Sequence, residues 1–351
     1  MRIGIPGDKP AIIDGSRAGH MKRAAYITWA AGVAAALLLV WYFDHGEVAA
    51  AVVAVGWGLL WVTLFRVFPL AIDTIAWGRL FTDRVRPTFL QLFWIRWIGE
   101  SVNSLLPVAQ VGGDVIRARM TARFGMLRST AAATVMVDFS IGILTQIVFC
   151  LVGVGLLLTQ HGMDDYLAAV VMLVAVALLG ASILYMLPKL GLFGMLARFL
   201  ETLSENGALR SLAGKVTSLD REVLALHRRR WEVANAFVLK LGGWMARTGE
   251  TYLALHFLGF PIGVEEAIII ESLISAVRSA AFAVPGAFGV QEGGILLLGA
   301  MLGIPPETAL ALAMVKRVRE FAMGVPAIIG WSLLETRWLR RRADERMSES
   351  D

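Results

Sequence analysis

Long apolar stretches, separated by short polar or basic segments, dominate the chain. Each stretch has 20 to 30 residues, which is enough for a helix to cross the hydrocarbon core of a bilayer. The pattern predicts six membrane-spanning helices, over 24–43, 48–77, 129–158, 166–187, 231–260 and 306–335. Residues 1–23 and 336–351 are polar tails. Residues 189–230 are amphipathic and basic, which is typical of helices that lie on a membrane surface.

The composition favours a membrane protein over a soluble one. Hydrophobic residues make up 57% of the 351 residues and charged residues 17%, and the mean hydropathy is +0.66. Soluble domains contain about 45–50% apolar and about 25% charged residues. The single cysteine, Cys150, cannot form a disulfide within the chain. We therefore expect an all-α polytopic membrane protein.

A motif containing proline and glycine occurs twice, at an offset of 178 residues. The first copy is PVAQVGGD over 107–114, and the second is PGAFGVQE over 285–292. Apolar segments interrupted by Gly and Pro at corresponding positions of two halves are the best sequence indication of a transport site. We predict helix breaks at the prolines and glycines of both copies, namely Pro107, Gly112, Gly113, Pro285, Gly286 and Gly289.

Lysine and arginine residues lie on alternate connections, which predicts the orientation of the chain. Of the 33 Lys and Arg, 25 lie in five segments, 1–23, 79–86, 117–128, 189–230 and 337–346. The opposite links carry none, so the basic segments and both termini are expected to be cytoplasmic. This orientation is possible only if 88–124 and 265–303 are re-entrant helical hairpins, each of which enters and leaves the membrane on the same side. The halves 48–158 and 231–335 would then form an inverted repeat.

Eight more Lys and Arg, and eight carboxylates, lie inside the predicted membrane elements. Each such charge costs about 2.5–3.5 kcal/mol on insertion scales, so it must pair or face a polar cavity. Helical spacing predicts pairs of Arg96 with Glu100 and of Arg247 with Glu250. Two interpretations stay open: the charges bind a substrate head group, or they only fix helix register. The predicted substrate-binding residues are Arg96, Glu100, Asn103, Asp114, Asp138, Arg247, Glu250, Glu271, Arg278, Gln291, Glu292, Lys316, Arg317, Arg319 and Glu320.

Each break is followed by the start of a new helix, near Gly113 in the first copy and Val290 in the second. Asp114 and Glu292 then lie in or beside the first turns. The free N–H groups and the dipole of such a terminus form an anion site. The carboxylates can instead cap those N–H groups, and capping is the favoured interpretation for these two residues.

The sixth predicted span carries four charges near its midpoint. Lys316, Arg319 and Glu320 share one helical face, whereas Arg317 points away from it. We expect the first three to line a cavity beside the second hairpin, and Lys316 is also spaced to pair with Glu320. Arg317 is expected to pair with a carboxylate of another element, Glu271 or Glu292.

The segments around both breaks resemble a known family. ESVNSLLPVAQVGGD over 100–114, followed by Arg117 and Arg119, is similar to the first motif of the lysylphosphatidylglycerol synthase membrane-domain family. PGAFGVQEG over 285–293, with LGIPP over 302–306, is similar to the second. The resemblance covers about residues 20–340 and implies a lipid flippase.

Larger members of that family carry a soluble aminoacyl-transferase domain after the membrane domain. This sequence ends at Asp351, so we expect neither that domain nor its activity. The segment SLLPVAQVGGD is also similar to a stand-alone branch associated with hopanoid biosynthesis. The resemblance thus implies a phospholipid or a hopanoid-type lipid as substrate.

Motifs for nucleotide, metal or nucleophile chemistry are missing from the sequence. There is no Walker A motif, no His-Glu-x-x-His and no Gly-x-Ser-x-Gly, and the five histidines are scattered. We expect no cofactor, no metal and no catalytic residue. The predicted function is movement of a polar-headed lipid between leaflets through a charged central cavity. The alternative is a membrane-embedded transferase acting on a lipid-linked substrate, with Glu100 or Asp138 as base.

The expected partners are the membrane lipid substrate and the bilayer itself. Nucleic acid is not expected, because the basic residues behind the net charge of +5 cluster at membrane edges. We expect the protein in the bacterial cytoplasmic membrane, and the sequence leaves a homodimer open.

Overall fold

The computed structural model describes residues 53, 55–81, 86–106, 112–161, 222–281, 287 and 289–348. All regular secondary structure in these ranges is helical, as the sequence predicts. The predicted spans 24–43 and 166–187, the tail 1–23 and most of the 189–230 linker lie outside the described residues. So do three of the predicted break residues, Pro107, Pro285 and Gly286.

Nine helices are numbered here in chain order. They are α1 (Gly58–Phe65), α2 (Val67–Gly78), α3 (Phe89–Leu105), α4 (Gly112–Ala122), α5 (Arg128–His161), α6 (Arg230–Phe257), α7 (Val264–Ala280), α8 (Val290–Met301) and α9 (Pro306–Ser348). A shorter helical stretch covers 222–228.

Two helices in the described part of the chain are long and apolar enough to cross a bilayer. Gly58–Gly78, which joins α1 and α2, has a mean hydropathy of 1.7, and Arg128–Gln160 has 2.5. The helices α6 and α9, with 28 and 43 residues, are also long enough to cross a bilayer but carry more charges along their length.

The second predicted span differs from a single regular helix at Arg66. Pro69 has no N–H to donate to the carbonyl of Phe65, so the helical ladder is interrupted there. The bonds on either side persist: Arg66 N lies 3.3 Å from Val62 O, and Leu70 N lies 3.3 Å from Arg66 O. Helices α1 and α2 therefore form one continuous helical stretch, Gly58–Gly78, in which Pro69 donates no hydrogen bond to Phe65 O.

The sixth predicted span continues beyond its expected end at Glu335. The basic residues after it extend α9 to Ser348. The segment 336–348 contains no Gly or Pro and is rich in Arg, Glu, Ala, Leu and Met, which favour a helix. The predicted polar tail is thus largely helical.

The start of α3 is determined by local sequence. Thr88 Oγ1 accepts from the backbone N–H of Gln91, and Gln91 Oε1 accepts from the N–H of Thr88 at 2.8 Å. This reciprocal capping satisfies two donors that a helix N-terminus leaves free. It fixes where the first predicted hairpin begins.

Helices beside each break pack against a long helix of the other half. The helix α3 packs against α9, α7 packs against α5, and α2 meets α6. Glycines make these contacts close: a Cβ at Gly153 of α5 would lie 1.7 Å from Ser272 Oγ of α7. A Cβ at Gly324 of α9 would lie 2.3 Å from Leu105 Cδ1 of α3. Both helix pairs therefore depend on residues without side chains.

Candidate functional site: a buried ion-pair network

The described helices bring nine cations and eight carboxylates into ion pairs at the depth of the predicted spans. The side chain of each is at most 28% exposed. The cations are Arg66, Arg96, Arg117, Lys240, Arg247, Arg278, Lys316, Arg317 and Arg319. The carboxylates are Asp73, Glu100, Asp114, Asp138, Glu250, Glu271, Glu292 and Glu320.

Asp138 of α5 is a centre of the network in the first half. Its carboxylate lies 2.7 Å from Arg117 Nη2, 2.9 Å from Lys240 Nζ and 3.1 Å from Arg96 Nη1. The three cations come from α4, α6 and α3, and the Asp138 side chain is 1% exposed. One carboxylate therefore ties together four helices.

Arg117 is the residue that the sequence interpretation misplaced. We predicted it among cytoplasmic charges because Arg119, Arg123 and Arg128 follow it. Instead it is buried, with its guanidinium 2.8 Å from Asp114 Oδ1 and 4.2 Å from the ring centroid of Trp77. The contact with the aromatic face is a cation–π interaction. The spacing of Asp114 and Arg117, three residues apart on a helix, was the available signal.

Two glycines allow Arg117 to reach this position. A Cβ at Gly113 would lie 2.0 Å from Gly99 O, and one at Gly99 would lie 2.6 Å from Arg117 Cγ. The helices α3 and α4 consequently approach each other more closely than any side chain would allow. Gly112 and Gly113 were predicted as break residues, and the structure places both in the first turn of α4.

Pairs along α3 and α6 show where helical spacing predicts correctly and where it does not. Arg96 Nε lies 3.2 Å from Glu100 Oε1, as the spacing predicts. Arg247, however, does not pair with Glu250; its Nη2 lies 2.6 Å from Asp73 Oδ2 of α2 and 3.9 Å from Glu100 Oε1. Since α6 packs against α2, a carboxylate of the neighbouring helix is closer than the one on the same helix.

Arg66 connects the network of the first half to that of the second. Its Nη2 lies 3.2 Å from Glu100 Oε2, and its Nη1 lies 3.8 Å from Glu250 Oε2. Glu250 also lies 2.8 Å from Arg319 Nη2 and 3.9 Å from Lys316 Nζ. Arg66, at the junction of α1 and α2, thereby shares one set of ion pairs with residues of α3, α6 and α9.

Lys316 does not pair with Glu320, contrary to the prediction from spacing. Its Nζ lies 2.7 Å from Glu271 Oε2 of α7 and donates to Thr251 Oγ1 at 2.9 Å. Glu320 instead binds Arg278 of α7 and Arg317, the latter at 2.8 Å. Glu320 therefore has one partner on another helix, α7, and one on its own helix three residues away.

Arg317 has the partner expected for it, since its Nε lies 2.5 Å from Glu292 Oε1. It does not point away from the other charges of α9. Lys316, Arg317 and Glu320 are all 3% exposed or less, because α9 is surrounded by protein at this level.

The carboxylates after the breaks bind arginines, and among the described residues no side chain caps the N-cap residue Gly289 of α8. Asp114 pairs with Arg117, and Glu292 pairs with Arg317. The backbone N–H of Gly113 is bound by Asn103 Oδ1 at 2.7 Å, which assigns a capping role to that predicted site residue. Gln291 accepts from Arg278 Nη1 at 3.3 Å.

The second break is described at its C-terminal end. Gly289 precedes α8 with φ of +74°, a left-handed conformation that glycine adopts without steric cost. This agrees with the break predicted at Gly289.

A cavity of about 30 Å³ lies between the start of α2, α3 and α9. Its lining includes Arg66, Glu100, Ser104, Arg319 and Glu320. A space of this size holds a water molecule and is much smaller than a lipid head group. Arg319 and Glu320 line this cavity beside α3 of the first hairpin, whereas the predicted cavity was beside the second hairpin and stays a prediction. Lys316 points to Glu271 instead.

Sequence reasoning missed four members of the network. Arg66, Asp73 and Lys240 lie within predicted membrane elements but were not assigned to the site, and Arg117 was assigned to the surface. A charge at bilayer depth is itself a functional signal, so the first three could have been found.

Comparison with known proteins agrees with the two motifs. Residues 29–329 match the family model described as the lysylphosphatidylglycerol synthase TM region. Searches among curated proteins and among solved structures gave no match. The resemblance inferred from the sequence around both breaks is thus confirmed. Because the match spans most of its length, this chain belongs to the lysylphosphatidylglycerol synthase transmembrane-region family, a family of membrane proteins with a lipid-related function.

Proposed function

We propose that this protein is a flippase that moves a polar-headed lipid between the leaflets of the bacterial cytoplasmic membrane. The observation that carries the proposal is the ion-pair network, which helices of both halves build at the depth of the predicted spans. Buried charges at that depth are costly and mark substrate or ion pathways. Register alone would require one or two pairs, and this network has seventeen members.

The proposal includes the inverted repeat, with six spans, two re-entrant hairpins and cytoplasmic termini. The packing of α3 on α9 and of α7 on α5 supports it, because each half offers the equivalent helices to the other. The same offset of 178 residues relates network members of opposite charge, Glu100 to Arg278 and Asp138 to Lys316. In this arrangement 48–158 and 231–335 are the halves, and 189–230 is a surface linker.

If the two halves separate, most of the buried charges keep at least one partner of opposite charge in their own half. Asp138 would lose Lys240 but keep Arg96 and Arg117. Likewise Glu250 would lose Arg66 but keep Arg319. Rocking of one half against the other could then admit a head group while the lipid tails stay in the bilayer. The lipid would be a phospholipid or a hopanoid-type lipid.

The experiment that tests the proposal is a translocation assay with purified protein in liposomes. We expect labelled lipid to change leaflet without chemical alteration, as judged by mass spectrometry. Arg319→Gln should abolish transport while leaving the melting temperature in detergent nearly unchanged, because Glu250 retains two other cations.

Two results would contradict the proposal. A lipid that changes mass in the presence of a donor would indicate the transferase alternative. Persistent transport by Arg319→Gln, together with a melting temperature many degrees lower, would make the network structural.

A further inference from the structure

We propose that Lys240 and Arg247, on one face of α6, bind in succession the phosphate of a lipid whose head group has a net negative charge. This inference rests on the proposed function and names the chemical class of its substrate. The four observations that support it are the charge balance of the network, its division between the halves, the partners of these two cations, and the shape of the α6 face.

Counted over the described residues, the network has one carboxylate fewer than it has cations. Nine cations face eight carboxylates, since Arg117 adds a cation to the sixteen charges that the sequence placed at membrane depth. The predicted spans 24–43 and 166–187 contain no Asp, Glu, Lys or Arg, so they cannot supply it. An uncompensated charge at this depth is costly, and an anionic ligand would balance it.

The net charge of the network differs between the two halves. The first half contributes three cations and four carboxylates, which leaves it net negative: Arg66, Arg96, Arg117, Asp73, Glu100, Asp114 and Asp138. The second half contributes six cations and four carboxylates, which leaves it net positive: Lys240, Arg247, Arg278, Lys316, Arg317, Arg319, Glu250, Glu271, Glu292 and Glu320. Separation of the halves would expose positive charge on the second.

That positive charge is concentrated on α6. Among the described residues, Arg278, Lys316, Arg317 and Arg319 each pair with a carboxylate of their own half. The ion pairs of the two α6 cations cross to the first half: Lys240 to Asp138 at 2.9 Å, and Arg247 to Asp73 at 2.6 Å. These two cations are therefore the ones that need a new anion when the halves part.

Lys240 and Arg247 lie on the same face of α6, at a spacing that would let a phosphate move from one cation to the other. Lys240 and Arg247 are seven residues apart, two turns and about 10 Å along the helix, on the same side. Trp244 lies between them, with its ring centroid 4.3 Å from the Arg247 guanidinium, which holds that group on this face. Opposite Lys240, a Cβ at Gly142 would lie only 3.5 Å from its Nζ. Gly142 therefore places no side chain between α5 and the ammonium.

Donor capacity remains on Arg247, because in the described part of the chain its Nε has no hydrogen-bond acceptor. A phosphate can satisfy that donor, since guanidinium binds phosphate through two parallel bonds, whereas the ammonium of Lys240 would bind it as a point charge. The lipid phosphate would thus replace the carboxylates of Asp138 and Asp73.

The test compares transport of three labelled lipids in liposomes: phosphatidylglycerol, phosphatidylcholine and the cationic ethyl-phosphatidylcholine. Wild-type protein should move phosphatidylglycerol about tenfold faster than the other two, and Lys240→Gln or Arg247→Gln should reduce this preference about tenfold. Lys240→Arg should retain it. The matched control is Arg229→Gln, which removes a more exposed arginine paired with Glu232 at the start of α6.

The preference among lipids, rather than the rate alone, decides the outcome. If the glutamine variants slow all three lipids equally, or if a neutral or cationic lipid moves fastest, the inference is wrong and the proposed function stands. If excess inorganic phosphate slows transport of phosphatidylglycerol, soluble phosphate competes with the lipid phosphate for these cations, which supports the inference. If no lipid moves, the proposed function fails, and this inference fails with it.

Discussion

At the scale of single residues, the feature that matters is how many cations share one carboxylate. Asp138 has three cations within 3.1 Å and is 1% exposed, whereas Asp114 pairs with Arg117 and is 16% exposed. Removing one partner of a buried ion pair is strongly destabilising, because the other charge stays buried and uncompensated. The two aspartates should therefore respond differently to the same substitution.

We predict that Asp138→Asn destabilises the fold by about 3–5 kcal/mol. Asp114→Asn, the matched control, should have a clearly smaller effect, since Arg117 retains Asp138. Thermal unfolding of both variants in the same detergent measures the difference. Equal melting temperatures for the two variants would show that Asp138 is not a centre of the network.

At the scale of helices, packing depends on glycines rather than on large apolar side chains. The contact of α3 with α4 is limited by Gly99 and Gly113, and that of α5 with α7 by Gly153. Small residues at helix contacts are typical of membrane proteins, where close backbone approach replaces the hydrophobic effect between helices. Not every glycine has this role, because a Cβ at Gly155 of α5 would meet nothing within 4 Å.

We predict that Gly113→Ala lowers the melting temperature markedly, since its Cβ would lie 2.0 Å from the Gly99 carbonyl oxygen and would push α4 away from α3. Gly155→Ala is the control. It should leave stability unchanged or raise it by about 0.5–1 kcal/mol, because alanine favours a helix over glycine. Thermal unfolding in detergent measures both variants, and a Gly113→Ala variant as stable as Gly155→Ala would exclude the close packing of α3 and α4.

At the scale of the whole molecule, ion pairs join the first hairpin to the second half at one end of the proposed transport path. Arg119 and Arg123 of α4 bind Glu335 of α9 at 2.6 and 2.5 Å, which joins the first hairpin to the second half at the proposed cytoplasmic side. Arg119 is 59% exposed despite this pair. It is therefore a suitable position at which to test the orientation of the first hairpin.

We predict that cysteine replacing His45 or Gly162 reacts with an impermeant reagent in intact spheroplasts. Cysteine replacing Arg119 or Arg228 should react only after permeabilisation. The background for these variants is Cys150→Ser, because Cys150 is the single native cysteine. Reaction of the Arg119 variant from outside would contradict the cytoplasmic hairpin and the inverted repeat that depends on it.

The sequence by itself determined the class of protein, the family, the approximate bounds of α5 and α6 and the start of α9. These conclusions rest on local or periodic features, which can be recognised without a tertiary structure. The features are apolar stretches of spanning length, a proline–glycine motif in two copies and charges at membrane depth. Helix α5 was predicted over 129–158 and runs over Arg128–His161, and α6 was predicted over 231–260 and runs over Arg230–Phe257. The pair of Arg96 with Glu100 was also foreseen, because four-residue spacing places both on one face.

Only the tertiary structure decided which charge pairs with which. Spacing along a helix reveals neighbours on that helix alone, whereas a long buried side chain binds the nearest opposite charge on any helix. Arg247 therefore pairs with Asp73, and Lys316 with Glu271. The burial of Arg117 required the close contact of α3 with α4, which two glycines allow and which no local pattern encodes. The net charge of the network follows from that one contact, since it brings a ninth cation to the eight carboxylates.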